Sequence, residues 1–390
     1  MVAGHLQEKK GNYYIVLCYS VAGKNKTKWI STGLPIKGNK KKAEKMLYEA
    51  RESFIQPVDP LDAASSDMLF TEFMKMWLAV AKTTVRTTTY SSYAAMTNNI
   101  IIPYFTDLKL SVKQIEAEHI QKFYLKQLER VSANSVIHYH AVLHRALKYA
   151  VKIKLIKYNP SDLVDKPKKV EFQGDYYNEK ELYELFEAVR GTKIELPVVL
   201  ASFYGLRRSE IVGLKWDAFD FEDNTFTIRH TMTTCTIDGK RILVKANLTK
   251  NKKSKRTLPL IEQFRDMLLS RSEYQNECRR VCGSCYNNEY LDYVCVDEMG
   301  NLIKPDYITQ TFSKILERNE LRHIRFHDLR HTSASMLLKH GIPMKNVQEW
   351  LGHSDFSTTA NIYSHLDYAE KLNSAKAMEG GIGSALKLLA

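Results

Sequence analysis

The sequence predicts a mainly α-helical chain with small antiparallel β elements, an α+β protein in three domains. Three observations carry that prediction. Apolar residues recur at i, i+3/i+4 and i+7 through much of the chain, the period of helices buried on one side. Runs of aromatic and β-branched residues, which favour strands, gather in residues 11–32 and 225–260. Two segments rich in proline, small polar or charged residues, 56–67 and 161–177, read as linkers. A length of 390 residues calls for more than one domain, and a hydrophobic content of 44% supplies their cores.

Residues 1–55 form the first module. Residues 11–19 (GNYYIVLCY) read as a strand, and Gly23-Lys24-Asn25 as a turn. Residues 26–32 make a second strand that Gly33 and Pro35 break. A helix follows over 40–54, with Ala43, Met46, Leu47 and Ala50 at helical spacing. The second domain spans 68–160. Asp67 is placed to cap a helix carrying Leu69, Phe70, Phe73, Met76, Trp77 and Val80. Further helices are expected at 88–101, ending before Pro103, at 117–128 and at 135–151, with Asn159-Pro160 as the stop. The third domain spans 178–390. Asn178 and Glu181 make a capping-box pattern, and a buried helix covers 196–204. Strands at 225–232 and 241–248 join near Asp238-Gly239, a hairpin signal. A short strand is expected at 257–260, and helices dominate thereafter. No internal repeat or low-complexity tract is evident.

Charge and composition narrow the function. Lys and Arg number 57 against 44 Asp and Glu, a net charge of +13. The first 55 residues hold eleven Lys/Arg and four Glu, so seven of that excess sit there. A polyanion, with nucleic acid foremost, fits that balance; a solvated basic face is the plainer reading. The N-terminus carries no apolar signal region. The longest apolar stretch, residues 196–206, is interrupted by Ser202 and Gly205 and is too short to cross a bilayer. Six cysteines make no disulfide framework, which points to a reducing cytoplasm. Cys278, Cys282, Cys285 and Cys295 cluster in a loosely zinc-like pattern. Structural zinc favours two paired arms, whereas Cys295 stands alone in residues 293–296 (YVCV), a buried strand by composition. Inert thiols are the favoured reading.

Four motifs in the third domain belong together. They are Gly205-Leu206-Arg207-Arg208-Ser209-Glu210, then Thr249-Lys250 opening a basic stretch that ends at Arg256-Thr257-Leu258-Pro259-Leu260, then His327-Asp328-Leu329-Arg330-His331-Thr332, then Leu351-Gly352-His353-Ser354 with Tyr363 ten residues after His353. Singly, each has a plain reading. Arg207 and Glu210 are a helical surface pair, the six basic residues from Lys245 to Arg256 a solvated hairpin tip, His327 a cap, His353 a satisfied histidine and Tyr363 packing.

In this order the set resembles the catalytic domain of tyrosine recombinases, the integrases of phages and conjugative transposons. The resemblance implies catalytic residues Arg207, Lys250, His327, Arg330, His353 and Tyr363, with no departure at the six positions. It implies a substrate and a chemistry. The substrate is double-stranded DNA, at element ends and a target site. Tyr363 is the nucleophile, and its phosphotyrosine ester conserves the bond energy for rejoining without ATP. Arg207 and Arg330 clamp the non-bridging oxygens, His327 accepts the phenol proton, His353 donates a hydrogen bond, and Lys250 protonates the leaving 5′-oxygen. Glu210 stands behind the arginines and orients them. No metal and no cofactor are implied. The architecture also resembles integrases with two kinds of DNA site: an arm-type DNA-binding domain (1–55), a helical, SAM-like core-binding domain (68–160) and the catalytic domain (178–390). A homotetramer on DNA, an excisionase, a host DNA-bending protein, a tail after Tyr363 that docks on a neighbouring protomer, and a cytoplasmic, nucleoid-associated location without a membrane partner belong to the same expectation. Type IB topoisomerases and telomere resolvases use similar residues, but the three-part layout and modest length argue against them. A DNA-binding regulator would need no tyrosine at that spacing. A metal-dependent transposase would need a carboxylate trio that no spacing singles out.

Overall fold

The computed structural model describes residues 2–21, 24–54, 68–170, 174–247, 255–353, 356 and 376. Lys250, Tyr363, the expected cap Asp67, the end of the 241–248 strand and the apolar tail at 385–390 lie outside the described residues. The chain falls into two compact units, Met1–Val170 and Glu171–Ala390.

The first unit opens with an antiparallel sheet in the order β1 (Ala3–Lys9), β2 (Asn12–Val21), β3 (Lys24–Pro35), followed by α1 (Lys40–Glu52). Strand β1 was not anticipated, because its Gly and charged residues mask the pattern; it pairs Leu6 with Ile15. Gly33 does not end β3. It takes φ +67° within the strand, a conformation that glycine adopts freely. Ile15 and Leu17 of β2 and Ala43 of α1 are buried. Gly4 permits this packing, since a Cβ there would lie 2.8 Å from the Leu17 side chain.

Helices α2 (Phe70–Thr84), α3 (Thr87–Met96), α4 (Ile102–Thr106), α5 (Ala117–Leu128) and α6 (Ala133–Lys152) follow. Leu69, rather than an acidic residue, occupies the cap position of α2. The expected stop before Pro103 is corrected. A π-helical turn over Thr97–Ile101 leads directly into α4, which carries Pro103 in its first turn. Pro103 has no N–H, and the first turn of a helix requires none. Helix α6 ends at Lys152, before Asn159-Pro160, with Lys154 at φ +62°. The apolar stripes converge on one core, where Phe105 meets Phe70 and Phe123 at ring distances of 4.8 and 5.6 Å. The first part of the segment read as a linker is held to this unit. Asn134 Nδ2 donates to the Val170 carbonyl at 2.7 Å, and the Asp165 amide donates to Gln121 Oε1 at 3.1 Å.

In the second unit Asn178 and Glu181 cap α7 (Glu179–Val189) reciprocally, as predicted. Then come α8 (Glu195–Tyr204), α9 (Arg208–Val212), β4 (Phe219–Asp220), β5 (Thr225–Ile228), β6 (His230–Ile237), β7 (Lys240–Asn247), β8 (Arg256–Pro259), α10 (Glu262–Cys282), α11 (Pro305–Arg318), α12 (Asp328–Lys339) and α13 (Met344–Leu351). The strand expected at 225–232 divides at Arg229. Strand β5 joins a sheet in the order β4-β5-β8, while β6 and β7 form a separate hairpin. Its turn, Asp238-Gly239, has both φ angles positive, as a two-residue hairpin loop requires. Residues 293–296 are buried as expected but make only isolated bridges, Lys215 to Tyr293 and Val296 to Leu302. Burial alone therefore imitated a strand. The six cysteines are free, and among the described residues no group of three His, Cys, Asp or Glu side chains is placed to hold a metal. Among the same residues no helix is long and apolar enough to cross a membrane.

Candidate active site

Two helix ends and two helix starts build the site. Helix α8 closes at Gly205, whose φ of +62° reverses the chain. A Cβ there would come within 2.2 Å of Leu351 in α13. The turn delivers Arg207 to the cap position of α9, and Glu210 in the first turn accepts its backbone N–H at 2.9 Å. Glu210 is 2% exposed. It also accepts Arg207 Nη1 at 2.7 Å, Arg256 Nη1 at 3.2 Å and Arg256 Nη2 at 3.0 Å. Burial alone would raise its pKa. The cations of Arg256, Arg207 and Arg330 outweigh burial and bring it to about 2.

Arg330, also 2% exposed, projects from α12 into the same place. Its Nη1 donates to the Gly205 carbonyl, Nη2 to the Leu351 carbonyl at 2.6 Å, and Nε to His353 Nε2 at 3.2 Å. Arg207 Nη2 donates to the Gly352 carbonyl at 3.1 Å. Helix α13 ends at Gly352, φ +69°, so the last carbonyls of α8 and α13 both face arginines. Those carbonyls have no partner within their helices and carry the negative end of each helix dipole. Burial and the nearby Arg207 charge disfavour the Arg330 cation, and Glu210 favours it.

His327 occupies the cap position just before α12, with helical backbone angles and no side-chain cap bond. It therefore shares the first turn with Arg330, whose N–H donates to the His327 carbonyl at 3.1 Å. His327 is exposed, yet neighbouring protein atoms partly desolvate its ring. That desolvation, then the charges of His331, Arg330, Arg207 and Arg325, lower its pKa to about 4. His353 is buried, and desolvation followed by Arg330 and Arg207 brings it to about 3. Both imidazoles are neutral at pH 7. Because His353 Nε2 accepts from Arg330, the neutral ring carries its proton on Nδ1.

The structure thus brings together Arg207, Glu210, His327, Arg330 and His353. Sequence reasoning missed three features. Arg256 was seen only as part of a basic stretch, and its ion pair spans 46 residues. Asp328, the buried first residue of α12, accepts the Arg325 amide at 2.8 Å and its guanidinium at 2.6 and 3.0 Å, which fixes the start of the helix. The carbonyls of Gly205, Leu351 and Gly352 leave no mark on residue identity. The site holds three arginine charges against the Glu210 carboxylate, with two neutral imidazoles at its edge. It is built for an anion with several oxygens.

Comparison with known proteins places the chain in a family. Residues 176–370, half of the chain, match the model of the phage integrase family. The chain belongs to that family. Residues 69–128 also match the SAM-like N-terminal domain of phage integrases. A tyrosine recombinase XerC-like protein of Caldanaerobacter subterraneus is 28% identical over 355 residues, covering 86% of this chain and 90% of that protein. The ICEBs1 integrase of Bacillus subtilis is 22% identical over 335 residues, covering 85% and 88%. The Tn1549 transposon integrase, solved with circular intermediate DNA, has a TM-score of 0.64 at 15% identity over 80% of this chain and 99% of that one. A lambda integrase tetramer on a Holliday junction gives 0.56 at 15% identity over 92% and 94%. These two share the fold. The chain is a tyrosine recombinase, an enzyme that cuts and rejoins DNA strands.

Proposed function

We propose that this recombinase integrates and excises a mobile genetic element, acting as a homotetramer on double-stranded DNA, with Arg207, Lys250, His327, Arg330, His353 and Tyr363 as its catalytic residues. The observation that carries the assignment is the cationic cradle in which Arg207 and the buried Arg330 converge, with the buried Glu210 behind them. A scissile phosphate placed there would offset its excess charge. The non-bridging oxygens gain negative charge in the transition state, and preorganised donors act most strongly on such charge; losing one typically costs on the order of 10²–10³ in rate.

In the proposed reaction the Tyr363 hydroxyl oxygen bonds to phosphorus while the bond to the 5′-oxygen breaks. His327, neutral at pH 7, accepts the phenol proton. Lys250 gives a proton to the departing 5′-oxygen. The product is a 3′-phosphotyrosine and a free 5′-hydroxyl, and attack by another strand's 5′-hydroxyl reverses the step. His353 holds Arg330 through Nε2, which supports a role in aligning the clamp. Residues 1–55 serve as the arm-type DNA-binding domain, 68–160 as the core-binding domain and 178–390 as the catalytic domain. The tail after Tyr363 docks on a neighbouring protomer. An excisionase and a host DNA-bending protein complete the assembly.

The test uses labelled, nicked duplexes from the DNA that flanks the gene. Wild-type protein is expected to give a slow, protease-sensitive labelled band on a denaturing gel. Tyr363→Phe is expected to bind the same duplex and give none. Absence of the band on a duplex that wild-type protein binds would refute the proposal in favour of a DNA-binding regulator.

A further inference from the structure

Arg256 opens β8, and none of the roles set out above uses it. A basic residue of a solvated hairpin would extend into water, yet this guanidinium is buried. Its hydrogen bonds reach two separate elements. Nη1 and Nη2 fork both oxygens of Glu210, a bidentate pairing that fixes direction as well as distance. Nε donates to the Trp350 carbonyl at 2.8 Å, in the last turn of α13. Glu210 Oε1 is shared between Arg256 and Arg207 Nη1, so the carboxylate that orients Arg207 is itself held by Arg256. The α13 turn that Arg256 grips supplies the Leu351 carbonyl to Arg330, the Gly352 carbonyl to Arg207, and His353. The fit is close, since a Cβ on Gly352 would lie 2.9 Å from Arg256 Nη1.

We propose that Arg256 is a positioning residue for strand cleavage, a brace between α9 and the end of α13 that makes Arg207, Arg330 and His353 converge on one phosphate. The inference rests on the reading of those three residues as the phosphate clamp. Lysine at this position would keep the charge but lose the fork.

The test compares wild type, Arg256→Ala, Arg256→Gln and Arg256→Lys as full chains in single-turnover cleavage of the nicked duplex, with the DNA Kd measured alongside. Misplacing a catalytic group by about 1 Å can cost about 10²-fold. Cleavage by Arg256→Ala is therefore expected to slow by about that factor while Kd stays within about twofold, and Arg256→Lys should restore only part of the rate. The pH profile gives a second readout. Glu210 faces Arg207, Arg256 and Arg330, and Arg256 is the largest influence holding its carboxylate ionised. Arg256→Gln should therefore lose cleavage at a higher pH than wild type as the solution is acidified. Arg256→Ala that binds DNA and cleaves within about twofold of wild type would overturn the inference and leave the proposed function standing. If wild type itself forms no covalent complex, the reading beneath the inference fails instead. Should Arg256→Ala not fold, Arg256→Lys and Arg256→Gln decide: wild-type rates with an unmoved acid limb overturn it.

Discussion

Replacing Glu210 with glutamine keeps the shape of the side chain and removes the charge that Arg207 and Arg256 share. Its cost follows from the structure. Glu210 titrates at about 2 rather than the ordinary 4.5, because three guanidinium groups outweigh its burial. That separation corresponds to about 3 kcal/mol of preference for the ionised form in the folded protein. Glutamine approximates the neutral form, and its amide hydrogens would face guanidinium donors. A second route agrees, since breaking a buried ion pair from one side costs about 3–5 kcal/mol. For a unit the size of Glu171–Ala390, each kcal/mol lowers Tm by about 2–4 °C, so Glu210→Gln should lower it by about 6–12 °C. Differential scanning calorimetry of the full chain near neutral pH measures this. The sign of the pH dependence is a further check. A carboxylate with a depressed folded pKa stabilises fully above its unfolded value and loses that contribution as pH falls through the folded value. The gap between wild type and Glu210→Gln should therefore be constant above about pH 5 and narrow between 4.5 and about 2. A shift of under about 2 °C near neutral pH would refute the view that this carboxylate holds the arginines together.

Three further perturbations probe the same construction. Gly352→Ala forces a side chain onto a backbone at φ +69° and into Arg256, and should cost about 1–3 kcal/mol in urea unfolding; an unchanged midpoint would show that the turn relaxes freely. His353 has a folded pKa of about 3, below its unfolded 6.5, so its neutral form stabilises fully above 6.5 and that contribution is lost as pH falls towards 3. His353→Gln keeps an acceptor for Arg330 but cannot take up a proton, so melting curves recorded across this range should fall less steeply than those of wild type. In the helical domain, the Tyr124 hydroxyl meets His140 Nδ1 at 2.7 Å in a buried setting. Tyr124→Phe leaves that nitrogen unpaired and should cost the first unit about 1–3 kcal/mol in urea unfolding; a loss below about 0.5 kcal/mol would mean that another group satisfies His140.

How much of this was legible in the sequence depends on whether each signal was local. The helices of the second domain were readable because burying one side of a helix writes itself at i, i+3/i+4 and i+7, as in Phe70, Phe73 and Trp77. The Asn178 capping box and the Asp238-Gly239 turn were readable because a few adjacent residues determine each. Pro103 misled because the rule that proline ends a helix concerns an interior N–H, and here the proline falls in the first turn after a π-helical segment. Residues 293–296 misled because complete burial resembles a strand in composition whether or not the backbone pairs with a neighbour.

The candidate site shows the same division at higher stakes. Arg207, His327, Arg330 and His353 could be named in advance because their motifs are short words, yet side chains alone cannot explain how such a cluster is stable. Arg207, Arg256 and Arg330 repel one another, and Glu210 supplies a single negative charge. Much of the balance comes from backbone: the carbonyls left without helical partners where α8 ends at Gly205 and α13 ends near Gly352. Helix ends offer partial rather than full negative charge. They can therefore hold guanidinium groups in place without neutralising them as further carboxylates would. Both glycines serve this arrangement, because each reverses the chain at the residue where the last carbonyls must turn towards an arginine. A site made this way stays cationic and fixed before any phosphate arrives, the condition under which its donors can act without reorganising.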